Sequence, residues 1–168
     1  MTIKEVYDLL TMAQENFIKL CKITYFQAPG AGGQKRNRKL SAVRLTHMKS
    51  GTAVTSSESR EPARNLRTAI RKLHLELVLD MDMGQVNETE TVIALPLFRA
   101  NANEHHPDFP GSVLAAFPLF YLHEGSVGQT SEKLGTSSAA LIRFFKKDKT
   151  LWRKVQQVRQ EFGHYPLK

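Results

Sequence analysis

No helix or strand can run through Ala28-Pro29-Gly30-Ala31-Gly32-Gly33-Gln34. Pro29 lacks a backbone N–H and fixes its own φ. Three of the four positions 30–33 are glycine, which frees the backbone for conformations closed to side chains or for close approach to a partner. The segment divides β-forming residues at 22–27 from a second such run at 41–48, so a loop must project between two strands. A flexible connection is the plainest reading. A phosphate-binding loop would need a Gly-Lys-Ser/Thr ending with a helix opening at the last glycine, and neither is present. A dinucleotide fingerprint would need the second half of its βαβ unit, also missing.

The flanking pattern is that of an α+β domain. Thr2 followed by Glu5 forms a capping box, and Ile3, Val6, Leu10, Ala13, Phe17 and Leu20 recur on one helical face, which predicts a single first helix. Strands are expected at 22–27, 41–48 and 52–58, with Lys49-Ser50-Gly51 as a tight turn, together making a small mixed sheet. Ser59 is a candidate cap for a helix reaching about Asp80, with Pro62 in its first turn. Arg60, Arg64, Arg67 and Arg71 share one side of that helix, while Leu66, Ala69, Ile70, Leu73 and Leu77 take the other. Four arginines without an interleaved acid point to phosphate contact, since an ordinary exposed face mixes signs. The stretch 81–111 reads as an acidic, proline-bearing linker, and 112–168 as a small helical domain. Gly135 should end one short helix there and Ser137 begin the next, a helix-turn-helix-like pattern. Residues 1–80 form the first domain on this reading.

Charge is distributed in blocks. Positions 34–72 hold eleven Lys or Arg against two Glu, a net of +9. Positions 80–112 hold six acids against one Arg, a net of −5, and 133–160 hold eight basic residues against one acid, a net of +7. Two basic blocks separated by an acidic one suggest two surfaces for a polyanion. Nucleic acid fits better than an anionic membrane, because neither block is a basic amphipathic helix with spare apolar surface. No apolar run approaches the roughly 18 residues of a membrane span, and the N-terminus has no signal pattern. The single Cys21 reads as a small buried side chain, and a reducing, cytoplasmic setting is expected. His105, His106, Asp108 and His123 lack the spacing of a structural metal site, so no metal and no cofactor are expected. His47 reads as structural, and Ser41 and Ser59 as strand-start and cap residues rather than nucleophiles.

Taken together, Gly30-Ala31-Gly32-Gly33-Gln34, Asn37, Ser41-Ala42-Val43-Arg44-Leu45-Thr46-His47, Ser50-Gly51, Glu58-Ser59-Arg60 and Asn65 resemble the catalytic domain of class I peptide chain release factors. The resemblance covers about 23–77. His106-Pro107-Asp108-Phe109-Pro110, Leu134-Gly135 and the segment 163–168 are similar to a compact bacterial release factor-like subgroup. The resemblance implies hydrolysis of the peptidyl-tRNA ester in the ribosomal peptidyl transferase centre. Gly32, Gly33 and Gln34 would be the catalytic residues, the Gln34 backbone N–H stabilising developing charge. Lys35, Arg36, Asn37, Arg38 and Lys39, with Arg60, Arg64, Arg67 and Arg71, would bind RNA. Lys146 and Lys147 are candidates for a second RNA contact, against the simpler reading of a basic packing domain. The partners implied are large-subunit ribosomal RNA and P-site peptidyl-tRNA, with a further protein for codon or stall recognition and no membrane. Class I factors read stop codons with a separate domain for which 168 residues leave no room, so codon-independent rescue or a specialised termination is expected. The other readings are a non-catalytic ribosome- or RNA-binding quality-control or assembly factor, and a DNA-binding regulator built on the helix-turn-helix-like end.

Overall fold

The computed structural model describes residues 1–27 and 40–168. They form two compact units, Thr11–Leu77 and Met1–Leu10 with Val78–Lys168. The fold is α+β, with one small sheet and several helices.

The first helix is expected to be continuous, but it is two: α1, Ile3–Thr11, and α2, Gln14–Lys19. Ala13 is extended at ψ 136° and caps the second without a side-chain bond. The apolar residues on either side of the break fill different cores: Ile3, Val6 and Leu9 are buried with one unit and Phe17 with the other. The capping box of α1 is present, with the Thr2 N–H donating to Glu5 Oε2 at 3.0 Å and the Glu5 N–H to Thr2 Oγ1 at 3.2 Å.

In the Thr11–Leu77 unit, β1 (Cys21–Phe26), β2 (Ala42–His47) and β3 (Ala53–Ser56) lie in the order β1-β2-β3. The sheet, expected to be mixed, is antiparallel at both pairings among the described residues. The β2–β3 pair is a hairpin whose turn closes with the Gly51 N–H donating to the His47 carbonyl at 2.9 Å. Gly51 stands at φ +74°, where a Cβ would be strained. Helix α3, Pro62–Leu79, places Ala69, Ile70, Leu73 and Leu77 in the core with Phe17, Val43 and Leu45. Ser59 is not the cap itself: its hydroxyl accepts from the Glu61 N–H at 3.1 Å, bending the chain into the helix that Pro62 opens.

Two histidines sit in this core. His47 is buried with Nδ1 2.9 Å from Ser50 Oγ, and the Phe17 ring stands edge-on to His74 with centroids 4.2 Å apart. His74 Nε2 is buried without a hydrogen-bond partner among the described residues. Burial, helped by the charge of His47, pushes the His74 pKa down to about 4. The neutral ring is thus native, whereas the unfolded chain takes up a proton below its ordinary value of 6.5. The His74 contribution to stability should hold above pH 6.5, fall as pH drops towards 4 and level off below. The full loss is about 3 kcal/mol. Urea unfolding at pH 7 and pH 4.5 checks this. His74→Phe should flatten the difference, and an unchanged pH slope in that variant would assign the effect elsewhere.

The other unit is helical. Segment 81–111, expected as a linker, contains α4 (Glu88–Ala94), capped by the Asn87 side chain accepting from the Glu90 N–H at 2.9 Å, and two single turns of 3₁₀ helix. Helix α5, Phe109–Leu122, is the centre, buried from Phe109 through Phe120. Around it lie α4, α6 (Val127–Lys133), α7 (Ser138–Phe145) and α8 (Lys149–Glu161). Gly135 at φ +64° ends α6, and Ser137 caps α7 through the Ala140 N–H at 3.2 Å. Phe144 is fully buried against Phe98 and Phe109, at ring-centroid distances of 5.5 and 5.3 Å.

The chain end folds back on α8. Gln156 donates to the Leu167 carbonyl at 2.8 Å and accepts from its N–H at 2.9 Å. Arg159 holds the Tyr165 and Gly125 carbonyls at 2.8 and 2.7 Å.

Candidate functional site

Gly32, Gly33, Gln34, Lys35, Arg36, Asn37, Arg38 and Lys39 lie in 28–39, outside the described residues. What the structure gives is the base on which that segment is mounted. Phe26 pairs with Ala42, so β1 and β2 close the two ends of the connection. At the exit, Asn65 of α3, only 1% exposed, donates to the Ser41 carbonyl at 2.7 Å and the Ser59 carbonyl at 2.8 Å, and accepts from the Ser59 N–H at 2.9 Å. Beside it the Ser56 hydroxyl donates to Glu58 at 2.6 Å, and Glu58 takes the Lys72 ammonium on its other oxygen. Burial works to raise the Glu58 carboxyl, but the hydrogen bonds from Lys72 and Ser56 outweigh it and hold it below its ordinary value.

Of the expected arginine face, Arg64 and Arg67 are exposed on α3 and Arg71 is half-buried, while Arg60 is exposed in the approach to the helix. Sequence reasoning missed two further cations. Strand alternation puts Lys22 and Arg44 on the face of the sheet opposite the core, both exposed, in rows with Thr46 and Ala53 and with Thr24 and Thr55. None of these six positions is acidic. The period-2 pattern could have found them, but the strand lengths alone did not fix the shared face.

In the helical unit, several basic residues are used internally. Lys147 donates to the carbonyls of Ala100 at 2.9 Å and Ala102 at 2.7 Å and lies over the Phe144 ring, and burial lowers its pKa. Lys154 donates to the Leu79 carbonyl, and Arg159 holds the chain end. Lys146 lies 5.3 Å over the Trp152 ring and is exposed, as are Lys149 and Arg153.

Among the described residues no group of three or more His, Cys, Asp or Glu is placed to hold a metal ion. His105 is 3.4 Å from Glu104, and His106 is 3.8 Å from Asp108, both near the surface. Cys21 is half-buried, and burial pushes its thiol up to about 11, which leaves it a poor nucleophile. Among the described residues no helix is long and apolar enough to cross a membrane.

Comparison with known proteins meets this geometry in the same stretch of chain. Residues 17–94, which hold the sheet, α3 and the Gly-Gly-Gln sequence, match the family model described as the RF-1 domain. The match is to the RF-1 domain as a family, and it takes in a little under half of the chain. Peptide chain release factor 2 of Campylobacter lari is 38% identical, over 42% of this chain and 21% of its own length. The factor of the same name from Campylobacter jejuni (strain RM1221) is 36% identical over the same shares, and that of Lactiplantibacillus plantarum is 43% identical over 33% of this chain and 15% of its own. The matched part thus spans about a fifth or less of these relatives. No solved structure matches the chain significantly. The RF-1 domain accounts for the class I release factor resemblance of the Gly-Gly-Gln region, and its boundaries take in Phe17 of α2 as well as α4.

Proposed function

We propose that the chain hydrolyses the ester bond of peptidyl-tRNA in the ribosomal peptidyl transferase centre, without reading a stop codon itself, in ribosome rescue or a specialised termination in the cytoplasm. The observation that carries this reading is that the RF-1 domain match at 17–94 contains Gly32-Gly33-Gln34 intact. In this reaction water attacks the ester carbonyl and the tRNA ribose leaves as its hydroxyl. The Gln34 backbone N–H supplies a fixed donor where negative charge develops. The ribosome supplies the substrate's alignment, so the protein needs no nucleophile of its own.

The cations fit a phosphate-binding role around that loop. Lys35, Arg36, Arg38 and Lys39 follow Gln34 directly, with Asn37 among them. Arg60, Arg64 and Arg67 are exposed and Arg71 adjoins them on α3, while Lys22 and Arg44 offer separate cations on the face of the sheet away from the core. Such contacts position RNA without reading its sequence and weaken steeply with salt. Lys146 offers a further contact from the helical unit. Lys147 would join it only by giving up the two carbonyls it holds. A protein partner supplies codon or stall recognition.

The test is release of labelled peptide from purified ribosomes carrying P-site peptidyl-tRNA, with the A site empty, on a sense codon or on a stop codon, and from isolated large subunits. Release from one or more of these names the substrate complex. Tight binding with no release from any of the four sinks catalysis by this protein alone and leaves a ribosome-binding factor.

A further inference from the structure

We propose that Asn65 is a positioning residue that sets the orientation in which the chain leaves the Gly-Gly-Gln segment, an assignment that rests on the hydrolase reading. Its amide is fully committed. Both bonds from Nδ2 go to backbone carbonyls, those of Ser41 and Ser59, and Oδ1 takes the Ser59 N–H. The Ser41 bond spans 24 residues of sequence and falls immediately before β2 begins at Ala42. Ser41 is also seven residues after Gln34 in the chain. The Ser41–Ala42 peptide is therefore fixed from two sides, by its strand partner Phe26 and by a side chain of α3.

The chemistry selects asparagine. A donor pair and an acceptor in one short, planar group must face two carbonyls and one N–H at the same time. Aspartate has the shape but turns a carboxylate oxygen towards the Ser41 and Ser59 carbonyls. Glutamine is one methylene too long for a site with 1% exposure. The surroundings brace the group further: Ser56 Oγ lies 3.5 Å from Oδ1 with its proton given to Glu58, which Lys72 holds. A core apolar residue would fill the same space, but none could hold the exit strand by its backbone. Because displacement of a reacting group by about 1 Å can cost around a hundredfold in rate, the direction of the peptide at Ser41, seven residues from Gln34, is where a change at Asn65 would act.

The experiment is single-turnover peptide release across a range of protein concentrations, using the full chain. Wild type is compared with Asn65→Asp, Asn65→Ser and, as a destabilised control in the same core, Ile70→Ala. Folded fraction is measured by circular dichroism in each case. The expected result is a plateau rate about ten- to a hundredfold lower for the Asn65 variants. Their half-saturating concentration should stay within about twofold of wild type, and Ile70→Ala should keep the wild-type rate per folded molecule. If Asn65→Asp does not fold, the smaller and neutral Asn65→Ser carries the comparison. A folded Asn65 variant with the wild-type plateau overturns the proposal. So does a fall in rate that merely follows folded fraction in all three variants. Wild type that binds ribosomes and releases nothing refutes the hydrolase reading, and the positioning role goes with it.

Discussion

Gly33→Ala is expected to lower the plateau rate of peptide release by at least about 10²-fold, the size of effect seen when a preorganised donor at a developing oxyanion is lost. Ribosome affinity should change by no more than about twofold. The two outcomes separate because the substitution removes no charge and no phosphate contact. It adds one methyl group beside the peptide unit whose N–H belongs to Gln34, and it withdraws the backbone freedom that glycine alone has. Affinity, by contrast, is proposed to rest on the Lys and Arg residues that follow and on the arginines of α3, and it should then respond to salt. Weaker binding at an unchanged plateau rate would place Gly33 in docking and remove the donor-geometry account. A variant indistinguishable from wild type in both would leave the Gly-Gly-Gln sequence without a role in this chain.

Phe144→Ala is expected to destabilise the helical unit by about 3–5 kcal/mol. The ring is fully buried, with Phe98 edge-on at 71° and Phe109 tilted at 46°, so its removal opens a cavity walled by two rings that α5 and the 3₁₀ turn before it hold in place. It also strips the aromatic face from under the Lys147 ammonium, 5.6 Å away, which then keeps its two carbonyls but loses its apolar cover. Such a loss is a large share of the 5–15 kcal/mol typical of a whole domain. Thermal unfolding of Phe144→Ala against Phe144→Leu measures it, with leucine expected to recover about half. A loss below about 1 kcal/mol in the alanine variant would mean that this site collapses freely, contrary to its packing.

Features written in short-range chemistry are legible in the sequence alone. The capping box at Thr2 and Glu5, the turn at Gly51, the helix end at Gly135 and the cap at Ser137 each depend on residues within about four positions of one another. The helix break at Ala13 was not readable, because the apolar spacing from Ile3 to Leu20 is continuous and only the existence of two cores interrupts it. Helix α4 escaped notice since Pro96 and the acidic bias masked a seven-residue element begun by Asn87. At the site, Asn65 could be singled out by resemblance, but its purchase on Ser41 joins residues far apart in sequence and no local pattern announces it. The same holds for the C-terminal cations. A run of lysines and arginines looks like a surface for phosphate, yet Lys147, Lys154 and Arg159 end on backbone carbonyls of segments distant in sequence.

The division of the chain into units has a bearing on how it is made. The helical unit is discontinuous: its α1 residues Ile3, Val6 and Leu9 are synthesised first, while the rest of its core begins only at Val78. The sheet-bearing unit is encoded whole between them, from Thr11 to Leu77. As the polypeptide emerges from a ribosome, the sheet and α3 can therefore close before the first helix has anything to pack against. Until the chain from Val78 onward follows, the apolar side of α1 stays open to water or to a chaperone, and a protein lacking residues 1–10 would keep the sheet-bearing unit whole and leave the helical one unfinished.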